Sequence, residues 1–236
     1  MTNINTIALV TGANRGIGRA LVEALLARGA RRVYAAARDI DSLGVFADPR
    51  VVPLALDVTD AAQITAAAAR AADVTLVINN AGALEGGTAL DADVDSLDRQ
   101  LQVNVIGPAR IAQAFAASLK ANQGALANVL SVVGRAPMPG LAFYSVSKAA
   151  AASLTAALRG TFAGSGVSVH GIFPGPVDTD MAKDIDMDKT PPAVVAAAIL
   201  DGIAAGAADI YPDAMAQMVG AGWAADPLAI ERQFAA

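Results

Sequence analysis

Tyr144 and Lys148, in the run Tyr144-Ser145-Val146-Ser147-Lys148, stand four residues apart. On a helix that spacing sets a phenol and an ammonium one turn apart on the same face. A free phenol titrates near ~10, and a cation beside it in a partly desolvated site favours the phenolate, drawing that value towards the working pH. Each unit of such a change corresponds to roughly 1.4 kcal/mol. A phenol tuned this way can give a proton to the alkoxide developing from a ketone, or take one from an alcohol. Alone, the spacing more often means a buried ring beside a solvated lysine, so the reading depends on what surrounds it.

Three further features supply that surrounding. Ser131 closes the apolar run Ala127-Asn128-Val129-Leu130-Ser131, so its hydroxyl is expected at the end of a strand. Asn104, in Asn104-Val105-Ile106-Gly107, lies on a long helical pattern from about Leu97 to Lys120, where a polar helix face or a local kink beside Gly107 and Pro108 is the plain alternative. Asn79-Asn80-Ala81-Gly82 ends another apolar run and by itself describes a simple turn. The stretch that ties these together is Thr11-Gly12-Ala13-Asn14-Arg15-Gly16-Ile17-Gly18, placed between the apolar run Thr6 to Val10 and an amphipathic helix pattern. Glycines at a strand-to-helix junction let the backbone turn sharply and let phosphate oxygens reach main-chain N–H groups at the positive end of the helix.

The elements that must hold these residues alternate along the chain. Apolar runs at Thr6–Val10, Arg32–Ala36, Val51–Leu56, Val74–Ile78, Ala127–Ser131 and Val167–Phe173 read as strands, with a short edge strand at Asp209–Tyr211. Between them, helical periodicity runs from Ile17 to near Gly29, from Ile64 to Arg70, from Leu97 to Lys120, from Phe143 to Phe162 and from Val194 to Ile203. Such alternation with right-handed crossovers predicts an α/β doubly wound parallel sheet with helices on both faces, and ligands belong at the strand C-terminal ends.

Composition narrows the function classes. A chain of 236 residues without a Pro/Gly/Ser-rich linker is expected to form one domain, residues 1–236, with 180–236 supplying a substrate-pocket rim and C-terminal packing. Hydrophobic residues are 55% but aromatics only 4%, so the interior must be built from Ala, Val, Leu and Ile. With no Cys and the single His170, thiolate chemistry is excluded and no metal site is expected. His170 itself falls in a central strand, where a satisfied core imidazole is the expected role. Net charge of -5 and scattered basic residues argue against nucleic acid. No spanning apolar run and no basic N-terminal segment ahead of one argue against a membrane, and a cytoplasmic location is expected.

Taken together and in this order, the motifs resemble those of the short-chain dehydrogenase/reductase family, in its compact single-domain branch, from about Ile7 to Thr179. They are T-G-x-x-x-G-x-G at Thr11–Gly18, N-N-A-G at Asn79–Gly82, then Asn104, Ser131, Tyr144 with Lys148, and Pro174-Gly175 followed by Val177 and Thr179. The resemblance implies a Rossmann-like fold and hydride transfer between a nicotinamide cofactor and a ketone, aldehyde or secondary alcohol of small or medium size. It implies that Tyr144 is the proton donor or acceptor and that Lys148 lowers its pKa and holds the nicotinamide ribose. Ser131 would hydrogen-bond the substrate oxygen, and Asn104 would help hold a water linking Lys148 to solvent. The cofactor would lie on Gly12, Asn14, Arg15, Gly16, Ile17 and Gly18, with Asp57 and Val58 by the adenine, Asn80, Ala81 and Gly82 along the cleft, and Pro174, Gly175, Val177 and Thr179 beside the nicotinamide.

Charge at the end of the second strand sets which dinucleotide fits, since a carboxylate there accepts a hydrogen bond from the adenosine 2′-hydroxyl and repels a 2′-phosphate, whereas an arginine donates to that phosphate. Arg38 and Arg15 resemble the family's phosphate clamp, which favours NADP(H) over NAD(H). Asp39 keeps NAD as the lesser reading, with helix entry or pairing to Arg38 as its plain alternatives. An NAD-dependent alcohol dehydrogenase and a non-catalytic NADP-binding regulator are the competing functions. A sugar-nucleotide epimerase would need a substrate domain for which the 92 residues after Tyr144 leave little room. Resemblance also implies a homodimer or homotetramer built on the Leu97–Lys120 and Phe143–Phe162 helices. The short polar segment Met181–Lys189 offers only a small cover, so an open, permissive pocket is expected.

Overall fold

A computed structural model describes residues 5–44 and 46–235, so most of the N-terminal stretch read for a targeting segment, Met1 to Ile4, lies outside it. Seven strands form one sheet: β1 (Ile7–Thr11), β2 (Arg32–Ala37), β3 (Val51–Ala55), β4 (Leu76–Asn79), β5 (Ala125–Val129), β6 (Ser168–Ile172) and β7 (Asp209–Ile210). Their order is β3-β2-β1-β4-β5-β6-β7, and every pairing is parallel. Strands buried on both faces need no alternation, which is why β1 reads as a continuous apolar run and is buried along its whole length. Pro53, unable to donate to a ladder, sits in β3 at the sheet edge. The strand order reverses between β1 and β4, opening a crevice at their C-terminal ends.

Helices cover both faces. One layer is α1 (Gly16–Ala27) against α6 (Pro192–Ala204), whose Leu21, Leu25, Ile199 and Leu200 meet Val10 and Ile78. Opposite lie α2 (Ala61–Arg70), α3 (Asp95–Leu101), α4 (Gly107–Ala121) and α5 (Ala142–Phe162), where Ile64, Ile111, Phe115 and Phe162 pack on Leu9 and Val77. Asp60 caps α2 as its sequence position suggests, accepting from the N–H groups of Ala62 and Gln63.

Two expectations need correction, and one stretch without an expectation gains structure. The helix expected from Leu97 to Lys120 is α3 and α4 joined by a π-helical turn, Gln102–Ile106. Pro108 has no N–H to give to the carbonyl of Asn104 four residues earlier, so the ladder widens there, and the N–H of Gly107 reaches back to the carbonyl of Gln102. Ser131 does not end β5 but lies two residues past it, as the cap of a 3₁₀ turn over Val132–Gly134. Beyond β7 the chain forms α7 (Ala214–Ala225) and α8 (Pro227–Ala235), which the sequence reading left unassigned. Gly220 and Gly222 weaken the helical signal of α7, yet a Cβ at Gly220 would stand 2.8 Å from the Tyr211 ring and one at Gly222 3.0 Å from Ile230.

Candidate active site

The glycine turn is shaped for close approach. Gly12 and Gly16 have φ of 64° and 54°, a region that strains any residue with a Cβ. Side chains from neighbouring strand ends pin the turn: Asn80 Nδ2 donates to the carbonyls of Thr11 (2.9 Å) and Gly12 (3.1 Å), while Thr11 Oγ1 accepts from the N–H groups of Asn80 and Ala81 (both 3.0 Å). Asn80 is therefore a brace for the cradle as well as part of its wall. Arg15 caps α1 without a side-chain hydrogen bond, and the first turn carries no acidic residue, so the positive helix end faces the cleft uncompensated.

On α5, Tyr144 and Lys148 are one turn apart and only 8% and 4% exposed. Lys148 Nζ donates to the Val129 carbonyl at 3.0 Å and stands 5.6 Å from the centre of the Tyr144 ring. Burial pushes the Tyr144 phenol above its ordinary range, opposed by a hydrogen bond from Ser131, and pushes Lys148 down to about 8. The expected lowering of the phenol by the ammonium is thus overridden by desolvation in the protein by itself. Both charged forms are disfavoured by the same dry surroundings, and Tyr144 stands as a neutral phenol, a proton donor.

Asn104 is placed by the π-helical turn, with Oδ1 accepting from Ala83 N–H and Nδ2 donating to the Ala83 carbonyl and to Ser147 Oγ, all at 2.9 Å. A Cβ on Gly82 would lie 3.4 Å from Asn104 Oδ1 and 3.8 Å from Lys148 Nζ, so the two side chains share one neighbourhood. Ser147, whose hydroxyl donates a hydrogen bond to the Tyr144 carbonyl at 2.8 Å, was not singled out in the sequence. Its place beside Lys148 in the run was the available signal.

A cavity of about 510 Å³ opens at the strand ends. Its wall holds Gly12, Asn14, Arg15, Gly16, Ile17, Arg38, Asp57, Val58, Asn80, Ala81, Gly82, Ser131, Tyr144, Lys148, Pro174, Gly175, Val177 and Thr179. Two expected residues stand behind the wall instead: Asn104, and Gly18, whose Cβ would fall 2.1 Å from the Gly12 carbonyl oxygen. Gly18 allows α1 to pack against the turn; it does not reach the cavity. The wall also holds apolar residues that the sequence reading did not assign to a site, among them Leu84, Met138 and Leu141. They come from separated segments, and no local pattern marks them.

The two arginines are in different states. Arg15 Nη1 is paired with Asp180 Oδ2 at 3.1 Å, whereas Arg38 is exposed and has no ion-pair partner among the described residues. Asp39 accepts from the N–H of Asp41, which is the helix-entry role and not a partnership with Arg38. Asp57 Oδ1 is closed in a turn, accepting from the N–H and hydroxyl of Thr59 (2.8 and 2.7 Å). His170 is a buried imidazole satisfied by the Ala207 carbonyl (2.6 Å) and Ser168 Oγ (2.9 Å), and burial lowers its pKa. From Val177 to Thr190 the loop is closed by paired backbone bonds at its two ends, and its Met181, Ile185 and Met187 line the cavity. No described helix is long and apolar enough to cross a membrane.

The fit of a dinucleotide rests on this cradle: glycines where side chains would collide, a bare helix N-terminus, and two cations at the strand ends. Comparison with known proteins shows what the chain is similar to. The family model described as short chain dehydrogenase matches residues 6–190. A short-chain dehydrogenase from Burkholderia cenocepacia, solved in complex with NADP, superposes with a TM-score of 0.94 at 40% identity, covering 99% of each chain. A short-chain dehydrogenase/reductase from Burkholderia phymatum, solved with NAD, gives 0.84 at 25% identity over 97% of this chain and 95% of that one. The 3-oxoacyl-acyl-carrier-protein reductase of Salmonella typhimurium is 31% identical over 190 residues, 78% of each chain.

Proposed function

The chain belongs to the short-chain dehydrogenase/reductase family of oxidoreductases, and from that premise we propose that it is an NADP(H)-dependent enzyme interconverting a ketone or aldehyde and the corresponding alcohol. The observation that carries this reading is the grouping of Tyr144, Ser131 and Lys148 on one cavity wall with the glycine cradle.

When bound, the nicotinamide supplies a hydride to the carbonyl carbon, or accepts one from the alcohol. The chain's own residues do the rest. Ser131 Oγ donates a hydrogen bond to the carbonyl oxygen, which fixes the substrate and stabilises the developing negative charge. Tyr144 Oη gives its proton to that oxygen, so the C=O bond becomes a C–O–H group as the new C–H bond forms. The phenolate left behind would be stabilised by the Lys148 ammonium, which would also hold the ribose hydroxyls of a bound nicotinamide cofactor. Asn104 positions α5 through Ser147 and holds the Ala83 loop, keeping this constellation rigid.

Support for NADP over NAD is the free Arg38 at the end of β2, with Arg15 within the same cleft, together with the NADP held by the Burkholderia cenocepacia protein. NAD is the second reading, favoured by Asp39 and by the NAD-bound relative from Burkholderia phymatum. The test is NADPH oxidation over a panel of ketones and aldehydes by the wild type and by Tyr144→Phe. Turnover by the wild type that falls by a hundredfold or more in the variant, with NADPH still bound, supports the proposal. Equal activity in both would reject it.

A further inference from the structure

The polar atoms that would act on a carbonyl sit in surroundings of one kind. Tyr144 belongs to an apolar cluster with Val132 and Val133, against which Leu84, Met138, Leu141, Met215 and Phe234 pack. These residues also line the cavity. The loop that follows Thr179 adds Met181 and Met187, so four of the chain's six methionines line one space. Thioethers on unbranched, three-bond stems adapt to differently shaped apolar ligands.

The charged residues on the wall are as informative. They are Arg15, Arg38, Asp39, Asp57, Lys148 and Asp180. The first four stand at the ends of β1, β2 and β3, Asp180 is paired with Arg15, and Lys148 Nζ, bonded to the Val129 carbonyl, is held 5.6 Å from the centre of the Tyr144 ring whose phenolate it is assigned to stabilise. Among the described residues, no cation is left free beside Ser131 and Tyr144 to meet a carboxylate or phosphate on the substrate. An anionic group placed there would be desolvated without a partner.

We infer that the substrate class is an uncharged carbonyl compound, or its alcohol, flanked on both sides by apolar groups, and that compounds bearing a carboxylate next to the reacting carbon are excluded. This rests on the hydride-transfer reading of the same site. The C-terminal helices take part in the selection, because Met215 on α7 and Phe234 on α8 close the pocket beside Tyr144.

The test compares an α-keto ester with its parent α-keto acid, for example methyl benzoylformate and benzoylformate, at pH 7 with saturating NADPH. The two share a skeleton and an activated ketone and differ in charge. The expected kcat/KM ratio favours the ester by about 100-fold or more. Met138→Lys or Met215→Lys, each placing an ammonium beside the substrate, should shift the ratio towards the acid by at least about tenfold. Comparable or better use of the acid by the wild type would overturn the substrate class and leave hydride transfer standing. Binding is read separately through Trp223, the chain's one tryptophan, which packs against the same cluster. Tighter binding of the ester without turnover of any carbonyl would uphold the pocket chemistry while removing the hydride reading; equal binding of the acid would overturn the inference.

Discussion

Arg38→Asp offers a sharp reading of how the cleft distinguishes dinucleotides. Arg38 is exposed at the end of β2 and without an ion-pair partner among the described residues, so it can move to a 2′-phosphate without giving up another interaction. A charge-assisted hydrogen bond contributes roughly 1.5–3 kcal/mol, which corresponds to about 10- to 150-fold in affinity. The aspartate removes that bond and adds a like charge beside the phosphate, so the loss for NADPH should reach the upper end of that range or exceed it. NADH, with a hydroxyl in the same place, should bind as well as before or better. Arg15 differs because it is already paired with Asp180, with side chains 62% and 71% exposed. Leaving an exposed pair costs up to about 1 kcal/mol, so Arg15→Ala should cost NADPH affinity less than Arg38→Asp does. The assay is kcat/KM and Kd for both dinucleotides in the wild type and the two variants. A wild type that prefers NADH, or an Arg38→Asp variant with unchanged preference, would refute the reasoning.

Other consequences follow from the same geometry. Burial holds Lys148 at about 8, so its ammonium is present at neutral pH and lost as pH rises through that value; kcat/KM should fall above about pH 8, and in Lys148→Arg, which stays charged, whatever activity remains should lack that falling limb. A pH profile flat to pH 9.5 in the wild type would contradict the role given to the charge. Gly18→Ala should lower the unfolding temperature and abolish dinucleotide binding, since its Cβ would lie 2.1 Å from a backbone oxygen that cannot step aside; melting curves with and without NADP+ check this. The outer faces of α4 and α5, with Val146 49% exposed, are proposed to pair copies of the chain, and light scattering should give a multiple of 23.7 kDa at micromolar concentration.

What was legible in the sequence was whatever depends on local repetition. Strands buried on both faces, such as Ile7–Thr11 and Leu76–Asn79, are continuous apolar runs, and the glycine turn with its following helix is written in consecutive residues. The spacing of Tyr144 and Lys148 likewise survives as one helical turn. Effects that depend on distant partners were hidden. The π-helical turn carrying Asn104 is half legible, because Pro108 marks a kink in the sequence while the tight seat of Gly107, whose Cβ would meet the Val58 carbonyl oxygen at 2.9 Å, leaves no local mark. The raised phenol of Tyr144 reflects how much chain lies over it, a quantity absent from a motif. Arg15 and Asp180 are 165 residues apart, and the methionines around Tyr144 come from loops and helices with no shared pattern.

The central claim is that this cleft moves a hydride onto a carbonyl carbon while Tyr144 protonates its oxygen. The most direct measurement follows the label from NADPH carrying deuterium at the transferable C4 position, with an apolar ketone as acceptor. The account predicts one deuterium on the carbinol carbon of the product from the wild type and a hundredfold or greater loss of that product with Tyr144→Phe, at unchanged NADPH affinity. Product without label, or labelled product at the wild-type rate from Tyr144→Phe, would contradict it.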